Sequence, residues 1–323
     1  MRTVVDVLAA VTPQMQEVLR TQARLAAEHA LPADGTGADG TGADVTGTDL
    51  TALRAAYTAE HRYWNEGGPV MARTVDRRIG GVAVREHHPV ADAGDRIVYL
   101  HGGGFVLGDL DSHDRIMREL AARTGAAVVG VDYTLSPEAK VPRAIEESAA
   151  VVRVVAGESG VPVGLAGDSG GAMLALATAL HLRDDGGPAL GPLLLWYGMY
   201  GLRDSASRRL LGGPWDGLAP QDLEAYLGWY TTDPDDLHRP EVDLLAADLS
   251  GLPPVYVAAT DLDPLLDDST ALARLLGLHG VPHRLDVFTG VLHAFLHCSR
   301  DLPEARTALD HAAAFHTAHR EAH

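Results

Sequence analysis

From residue 73 onward, short apolar runs alternate with segments whose apolar residues follow helical spacing. The runs predict strands at 73–86, 96–100, 126–131, 161–166, 192–197, 254–259 and 283–288. The segments between and after them predict helices near 112–123, 142–156, 171–183, 265–279 and 303–320. This alternation predicts an α/β fold with a mostly parallel central sheet and helices on both faces. Ligands of such sheets bind at the carboxyl ends of the strands.

Two segments depart from the alternation. Residues 1–70 predict N-terminal cap helices, interrupted at 33–49 by a Gly/Thr/Asp repeat that lacks large side chains and is expected to be flexible. The catalytic domain is predicted at 71–323, and Gly, Pro and aromatic residues at about 198–245 predict an insertion into it. We expect the helices and the insertion to form a cap over the sheet and to shape a substrate pocket.

The amino-acid composition limits the binding partners and the cellular compartment that we expect for this protein. A net charge of −18 without a visible basic patch disfavours nucleic acid and membrane surfaces. No apolar run approaches ~18 residues, and the N-terminus lacks the features of a signal peptide. A cytoplasmic location is therefore expected, and the single cysteine, Cys298, agrees with it.

The nucleophile candidate is Ser169 in Gly167-Asp-Ser-Gly-Gly171, which follows a predicted strand and precedes a predicted helix. A serine at a sharp strand-to-helix turn needs very small neighbours, and the next helix directs its N-terminal amides toward the hydroxyl. The alternative is an ordinary Gly-rich turn with an incidental serine. A chymotrypsin-like protease is excluded because that family orders its triad His, Asp, Ser on an all-β fold, usually with disulfides.

A second glycine-rich segment, His101-Gly-Gly-Gly-Phe105, follows the strand at 96–100. Consecutive glycines leave backbone amides unshielded, as an oxyanion hole requires. We expect Gly103 and Gly104 to donate together with Gly170, the residue after the nucleophile. A phosphate loop is disfavoured because the Lys-Ser/Thr signature is missing. His101 is expected to be a structural residue of the loop.

The acid and the base are expected downstream of the serine, in that order. Asp263 and His293 follow the predicted strands 254–259 and 283–288, so both lie at the edge where ligands bind. Spacing does not distinguish Asp263 from Asp261. Asp267 and Asp268 follow in the sequence, and we interpret them as acidic residues at the N-terminus of the next helix.

His293 and His297 have the i, i+4 spacing of a zinc-binding pair. No Glu follows the first histidine, and no third ligand is evident, so a metal site is disfavoured. We expect neither a metal ion nor a cofactor.

These motifs together resemble the hormone-sensitive-lipase-like esterases of the α/β-hydrolase fold and, among them, acetyl esterases of the enterobacterial type. The resemblance spans about residues 50–300 and includes further segments at 63–69, 110–118, 132–138, 194–198, 201–205 and 208–218. It implies a catalytic triad made by Ser169, Asp263 and His293. It also implies an oxyanion hole made by Gly102, Gly103, Gly104 and Gly170. The family usually has Ala where this chain has Gly170.

The resemblance implies a carboxylic ester hydrolase that cleaves small short-chain acyl esters through an acyl-enzyme intermediate. One alternative is a regulatory or binding protein on the same fold that acts by protein–protein contact. Another is a lactonase or a peptidase with the same triad. The sequence leaves open whether the protein forms a homodimer and whether it makes weak regulatory contacts with other proteins.

Overall fold

The computed structural model describes residues 6–28, 49–213 and 215–320, so the repeat predicted at 33–49 lies outside the described residues except for Asp49. The α-helices of the described residues are α1 (Val7–Ala10), α2 (Pro13–Glu28), α3 (Leu50–Asn65), α4 (Asp114–Thr124), α5 (Arg143–Ser159), α6 (Gly170–Asp184), α7 (Ala206–Leu211), α8 (Pro220–Tyr230), α9 (Leu266–Leu278) and α10 (Pro303–His319). The strands are β1 (Arg73–Ile79), β2 (Val82–His88), β3 (Arg96–Leu100), β4 (Ala127–Asp132), β5 (Val163–Asp168), β6 (Leu190–Trp196), β7 (Val255–Thr260) and β8 (His283–Phe288). Short 3₁₀ helices cover Pro234–His238, Leu244–Ala246 and Phe295–Arg300.

The described strands form one eight-stranded sheet in the order β1-β2-β4-β3-β5-β6-β7-β8. The pairs β1–β2 and β2–β4 are antiparallel, and from β4 to β8 neighbouring strands are parallel. This confirms the predicted mostly parallel sheet. The single strand predicted at 73–86 is wrong, because Gly80 and Gly81 take positive φ values of 59° and 90° and turn the chain into a β1–β2 hairpin.

Helices cover both faces of the sheet, and each face has its own hydrophobic core. Alternate residues of a strand point to opposite faces. Val98 accordingly belongs to the core beneath α5, α6 and α9, whereas Ile97 belongs to the core beneath α4 and α10. The central strands β5 and β6 are buried along their whole length, as expected for a parallel sheet covered twice. None of the helices in the described part of the chain has the length and apolar character that a membrane span requires.

The helix α3 lies against the loop that follows β3. Arg54 of α3 donates to the carbonyl oxygens of Val106 and Ser136, each at 2.8 Å, and pairs with Glu138 at 2.6 Å. From the other segment predicted to cap the sheet, α8 brings the ring of Tyr230 to 4.1 Å from that of Phe105. Both segments thus cover the carboxyl edge of the sheet near the glycine-rich loop.

Asp268 anchors the inserted segment to the sheet domain. Its carboxylate is fully buried in the first turn of α9 and accepts the backbone N–H groups of Tyr200, Gly201 and Leu202 at 2.8, 3.1 and 3.2 Å. It also pairs with Arg208 of α7 at 3.0 Å. The sequence pattern predicted only a helix-terminal charge at this position, whereas the structure shows a buried ion pair between α9 and the insertion.

Candidate active site

Ser169 occupies the turn between β5 and α6. Its φ and ψ are 51° and −122°, a backbone conformation that a residue with a side chain rarely adopts. The turn is tight, because a Cβ on Gly167 would overlap the backbone of Gly171, and a Cβ on Gly171 would overlap the carbonyl of Leu100. The strand–turn–helix predicted around Ser169 is therefore present, and both flanking glycines are sterically required.

A hydrogen-bond chain connects the serine to a buried carboxylate. Nε2 of His293 lies 2.9 Å from Oγ of Ser169, and Nδ1 lies 2.8 Å from Oδ2 of Asp263. An ionised carboxylate can only accept, so Nδ1 carries the proton and Nε2 accepts the serine O–H. Asp263 is 1% exposed, and its other oxygen accepts the N–H of Leu265 at 2.7 Å. Both oxygens are therefore fixed in the orientation that holds the imidazole ring.

The structure distinguishes the two aspartates that spacing left open. Asp263 contacts His293, whereas Asp261 accepts the backbone N–H of Gly290 at 2.8 Å. Burial lowers the pKa of His293, but the charge and the hydrogen bond of Asp263 more than offset this, and the pKa lies above its ordinary 6.5. The imidazolium form is thus favoured by its carboxylate partner.

The glycine-rich loop lies beside this chain of hydrogen bonds. Gly103 and Gly104 have φ values of 109° and 59°, and a Cβ on them would overlap the Leu107 carbonyl and the Tyr226 ring. Both glycines line the same cavity as Ser169 and Gly170. A Cβ built on Gly170 would lie 3.4 Å from the Gly104 nitrogen, so these two peptides are close neighbours.

Gly102 differs from the other expected oxyanion-hole glycines. Its N–H donates to Oδ1 of Asp168 at 2.9 Å and is therefore engaged inside the protein. Oδ1 also accepts the O–H of Tyr99 at 2.6 Å. Asp168 thus links the Ser169 turn to the start of the glycine loop. Among the four glycines expected to form an oxyanion hole, Gly102 therefore differs from Gly103, Gly104 and Gly170, because its N–H anchors the loop.

Three histidines surround Asp168 within the fold. His113 and His297 approach the carboxylate at 3.5 and 3.9 Å, and the His61 ring packs 4.5 Å from that of His297. Burial would raise the pKa of Asp168, but His113, His297 and Tyr99 hold that pKa well below its ordinary value. Burial lowers the pKa of His61 to about 4, so its ring is neutral. No local sequence pattern predicts this cluster, because its members come from separate elements.

Among the described residues, His113, Asp168 and His297 could hold a metal ion, since their ligand atoms lie within 4.8 Å of one another. Both ring nitrogens of His113 already have protein partners: its Nδ1 pairs with Oγ of Ser112 at 2.9 Å, and its Nε2 accepts the N–H of Gly102 at 3.2 Å. An N–H directed at Nε2 occupies the lone pair that a metal would need. His293 and His297, which have the i, i+4 spacing of a zinc-binding pair, lie against different carboxylates, those of Asp263 and Asp168.

His101 is buried and performs the structural role expected for it. Its Nδ1 lies 2.9 Å from the carbonyl oxygen of Gly102, and its own carbonyl accepts the O–H of Tyr133 at 2.8 Å. Burial lowers the pKa of His101 to about 4. A neutral ring stacked on Tyr133 fixes the first residue of the loop.

The cavity in front of Ser169 has a volume of about 120 Å³. Tyr57 from α3 and Leu223 and Tyr226 from α8 line its walls. The insertion also contributes Asp216, whose carboxyl is largely buried, and this burial raises its pKa to about 7. No sequence pattern marked Asp216 as a site residue, since it lies in the insertion and not at the end of a strand.

Comparisons with known proteins agree with this architecture. A family model described as the alpha/beta hydrolase fold matches residues 97–297. The structure is similar to a hyperthermophilic esterase from the archaeon Pyrobaculum calidifontis, with a TM-score of 0.80 and 32% identity over 84% of this chain and 94% of the other. A thermostable esterase from Pseudomonas putida gives a TM-score of 0.82 and 27% identity over 97% of this chain and 98% of the other.

A third similar structure is a thermostable carboxylesterase cloned from a metagenomic library. Its TM-score is 0.79, with 31% identity over 84% of this chain and 97% of the other. The matched family model covers most of the sheet, the Ser169 turn and the loop that carries His293. The chain therefore belongs to the alpha/beta hydrolase fold family.

Proposed function

We propose that this protein is a carboxylic ester hydrolase for short-chain acyl esters, with Ser169 as nucleophile, His293 as general base and Asp263 as the acid that orients it. The observation that carries the proposal is the chain of hydrogen bonds from Asp263 through His293 to Ser169. This chain ends at a cavity that the glycine loop also lines.

The proposed reaction has two halves. His293 Nε2 accepts the proton of Ser169 as Oγ attacks the ester carbonyl carbon, and the resulting oxyanion is stabilised by the amides of Gly103, Gly104 and Gly170. The imidazolium then returns the proton to the leaving alcohol as the C–O bond breaks, which leaves an acyl-serine. Water then attacks the acyl-serine while the same nitrogen accepts its proton, and this proton passes to Oγ of Ser169 as the C–Oγ bond breaks and the carboxylic acid is released.

One observation supports short acyl chains, and another supports ester hydrolysis. The cavity of about 120 Å³ has room for few carbon atoms beyond the reacting carbonyl, and its wall includes Phe105, Met199 and Leu223. The proteins of similar structure are described as esterases or carboxylesterases. The acetyl preference itself comes from the resemblance of the sequence motifs.

The proposal is tested by hydrolysis of p-nitrophenyl esters from acetate to dodecanoate. We expect kcat/KM to be highest for acetate to butyrate and to fall steeply with longer chains. If the folded protein hydrolyses none of these esters, the proposal is wrong and a regulatory or binding role takes its place. Preferential cleavage of lactones or peptides would assign the same residues to another hydrolase class.

Leu223→Ala should broaden the acyl-chain preference. Leu223 lines both the cavity at Ser169 and a larger outer pocket of about 720 Å³ between α7 and α8. Shortening this side chain connects the two spaces, so the ratio of kcat/KM for octanoate to that for acetate should rise ~10-fold or more. Leu227→Ala is the matched control, because Leu227 lines the outer pocket alone. An equal ratio in the two variants would contradict this role of Leu223.

The rate should depend on the ionisation of His293. Only the neutral ring accepts the serine proton, so kcat/KM is full above the pKa of His293 and falls as the pH drops through it. Because this pKa is raised above 6.5, the midpoint of the acid limb should also lie above 6.5. A pH profile of p-nitrophenyl acetate hydrolysis measures the midpoint, and a value below 6.5 would contradict the assignment. The limb should persist in Asp216→Asn, since His293 and not Asp216 accepts the proton.

A further inference from the structure

The cavity in front of Ser169, called the reactive cavity below, contains the carboxyl group of Asp216, which the proposed reaction does not use. Its Oδ1 accepts the backbone N–H of Leu218 at 3.1 Å. Its Oδ2 is buried and has no hydrogen-bond partner of normal geometry among the residues that the structure describes, although the backbone N–H of Gly213 lies close enough to the carboxyl to lower its pKa. A buried polar atom without a partner is costly and is uncommon in folded proteins. The atom is therefore a candidate for contact with a bound molecule.

The position of Asp216 points to the alcohol part of an ester. The side chain lines the same cavity as Ser169 and His293, and the charges of Asp216 and His293 each shift the pKa of the other. In the proposed reaction His293 gives its proton to the leaving oxygen, so the alcohol leaves on the side of the cavity where His293 lies. Because Asp216 lines this small cavity together with His293, its carboxyl is within reach of the leaving alcohol.

We propose that Asp216 forms a subsite for the alcohol part of the substrate and selects esters whose alcohol retains a free hydroxyl group, such as monoesters of small polyols. The inference rests on the proposed esterase function and specifies its substrate class. The substrate hydroxyl would supply the missing hydrogen bond to Oδ2. An alkyl alcohol would leave that oxygen buried and without a partner.

The ionisation of Asp216 favours a hydroxyl over a cation. Burial raises its pKa to about 7, with Asp263 raising it further and His293 opposing the shift, so both protonation states are populated near neutral pH. A hydroxyl donates to the carboxylate and accepts from the carboxylic acid. A quaternary ammonium group interacts well with the ionised state alone. A hydroxyl therefore matches this carboxyl throughout the neutral range.

The test compares glyceryl monoacetate with propyl acetate, which has the same carbon chain without the two hydroxyls. We expect the wild-type protein to prefer glyceryl monoacetate in kcat/KM by ~10-fold or more, the value of one hydrogen bond to a charged or partly charged group. Asp216→Leu should lower this ratio by ~10-fold, whereas Asp216→Asn, which can still donate and accept, should retain most of it. Asp235→Asn removes an exposed acid of the insertion outside the cavity and should leave the ratio unchanged.

Several results would overturn the inference. Equal kcat/KM for the two esters in the wild-type protein would do so without any variant, as would an unchanged ratio in Asp216→Leu. Preference for acetylcholine that disappears in Asp216→Asn would assign the subsite to cations instead. If the protein hydrolyses propyl acetate and glyceryl monoacetate with equal kcat/KM, only the proposed subsite is wrong. If it hydrolyses no ester at all, the proposed esterase function is wrong as well.

Discussion

Ser169→Ala is expected to lower kcat on p-nitrophenyl acetate by ~10⁴-fold or more, to a rate set by the remaining binding groups. The variant removes the Oγ that lies 2.9 Å from His293 Nε2 and leaves the cavity otherwise intact. Alanine keeps the Cβ at the same backbone conformation, so the fold should be preserved. Circular dichroism and thermal unfolding would establish this before the rates are compared.

The matched control for this variant is Ser250→Ala, which removes an exposed serine hydroxyl outside the reactive cavity. It should leave kcat and KM for p-nitrophenyl acetate unchanged. A loss of less than tenfold in folded Ser169→Ala would show that another group is the nucleophile. An equal loss in both variants would point to a general effect of the substitutions on the protein.

Asp263→Asn should reduce kcat by a similar factor, ~10⁴-fold, while retaining the shape of the side chain. The asparagine amide can donate to Nδ1 of His293, which places the ring proton on Nε2. A protonated Nε2 can no longer accept the proton of Ser169. The loss should therefore appear in kcat, with little change in KM.

Asp261→Asn is the control for Asp263→Asn because both aspartates lie in the loop after β7. Asp261 contacts the backbone of Gly290 and lies outside the reactive cavity. Its substitution should change kcat by only a few fold. Similar losses in the two variants would contradict the assignment of Asp263 as the acid.

Local chemistry explains why the sequence predicted the centre of the site. The turn at Ser169 depends on Gly167 and Gly171, which lie two residues before and two residues after it. The residues that the turn needs for steric reasons are therefore part of the same short motif. His293 and Asp263 follow strands of a parallel sheet, and the carboxyl ends of such strands meet at one edge. Spacing left Asp261 as an alternative because it lies in the same loop, and only the three-dimensional direction of each side chain separates the two.

Other features depend on contacts between distant segments, and the sequence pattern did not predict them. Gly102 looks like its two neighbours in the sequence, yet its N–H is taken by Asp168. Asp216 and Asp268 are ordinary acids in sequence, and their burial follows from how the insertion packs on the sheet domain. The β1–β2 hairpin was missed because apolar residues continue on both sides of Gly80.

The most direct test of the central claim is to label the protein with diethyl p-nitrophenyl phosphate and to locate the adduct by peptide mass spectrometry. The phosphorus is attacked as the ester carbonyl would be, so an activated serine forms a stable diethylphosphoryl ester and releases p-nitrophenol. We expect one label per chain, on Ser169, with loss of esterase activity in proportion to labelling and no label in Ser169→Ala. Labelling at another residue, or full esterase activity after stoichiometric labelling of Ser169, would contradict the proposed nucleophile.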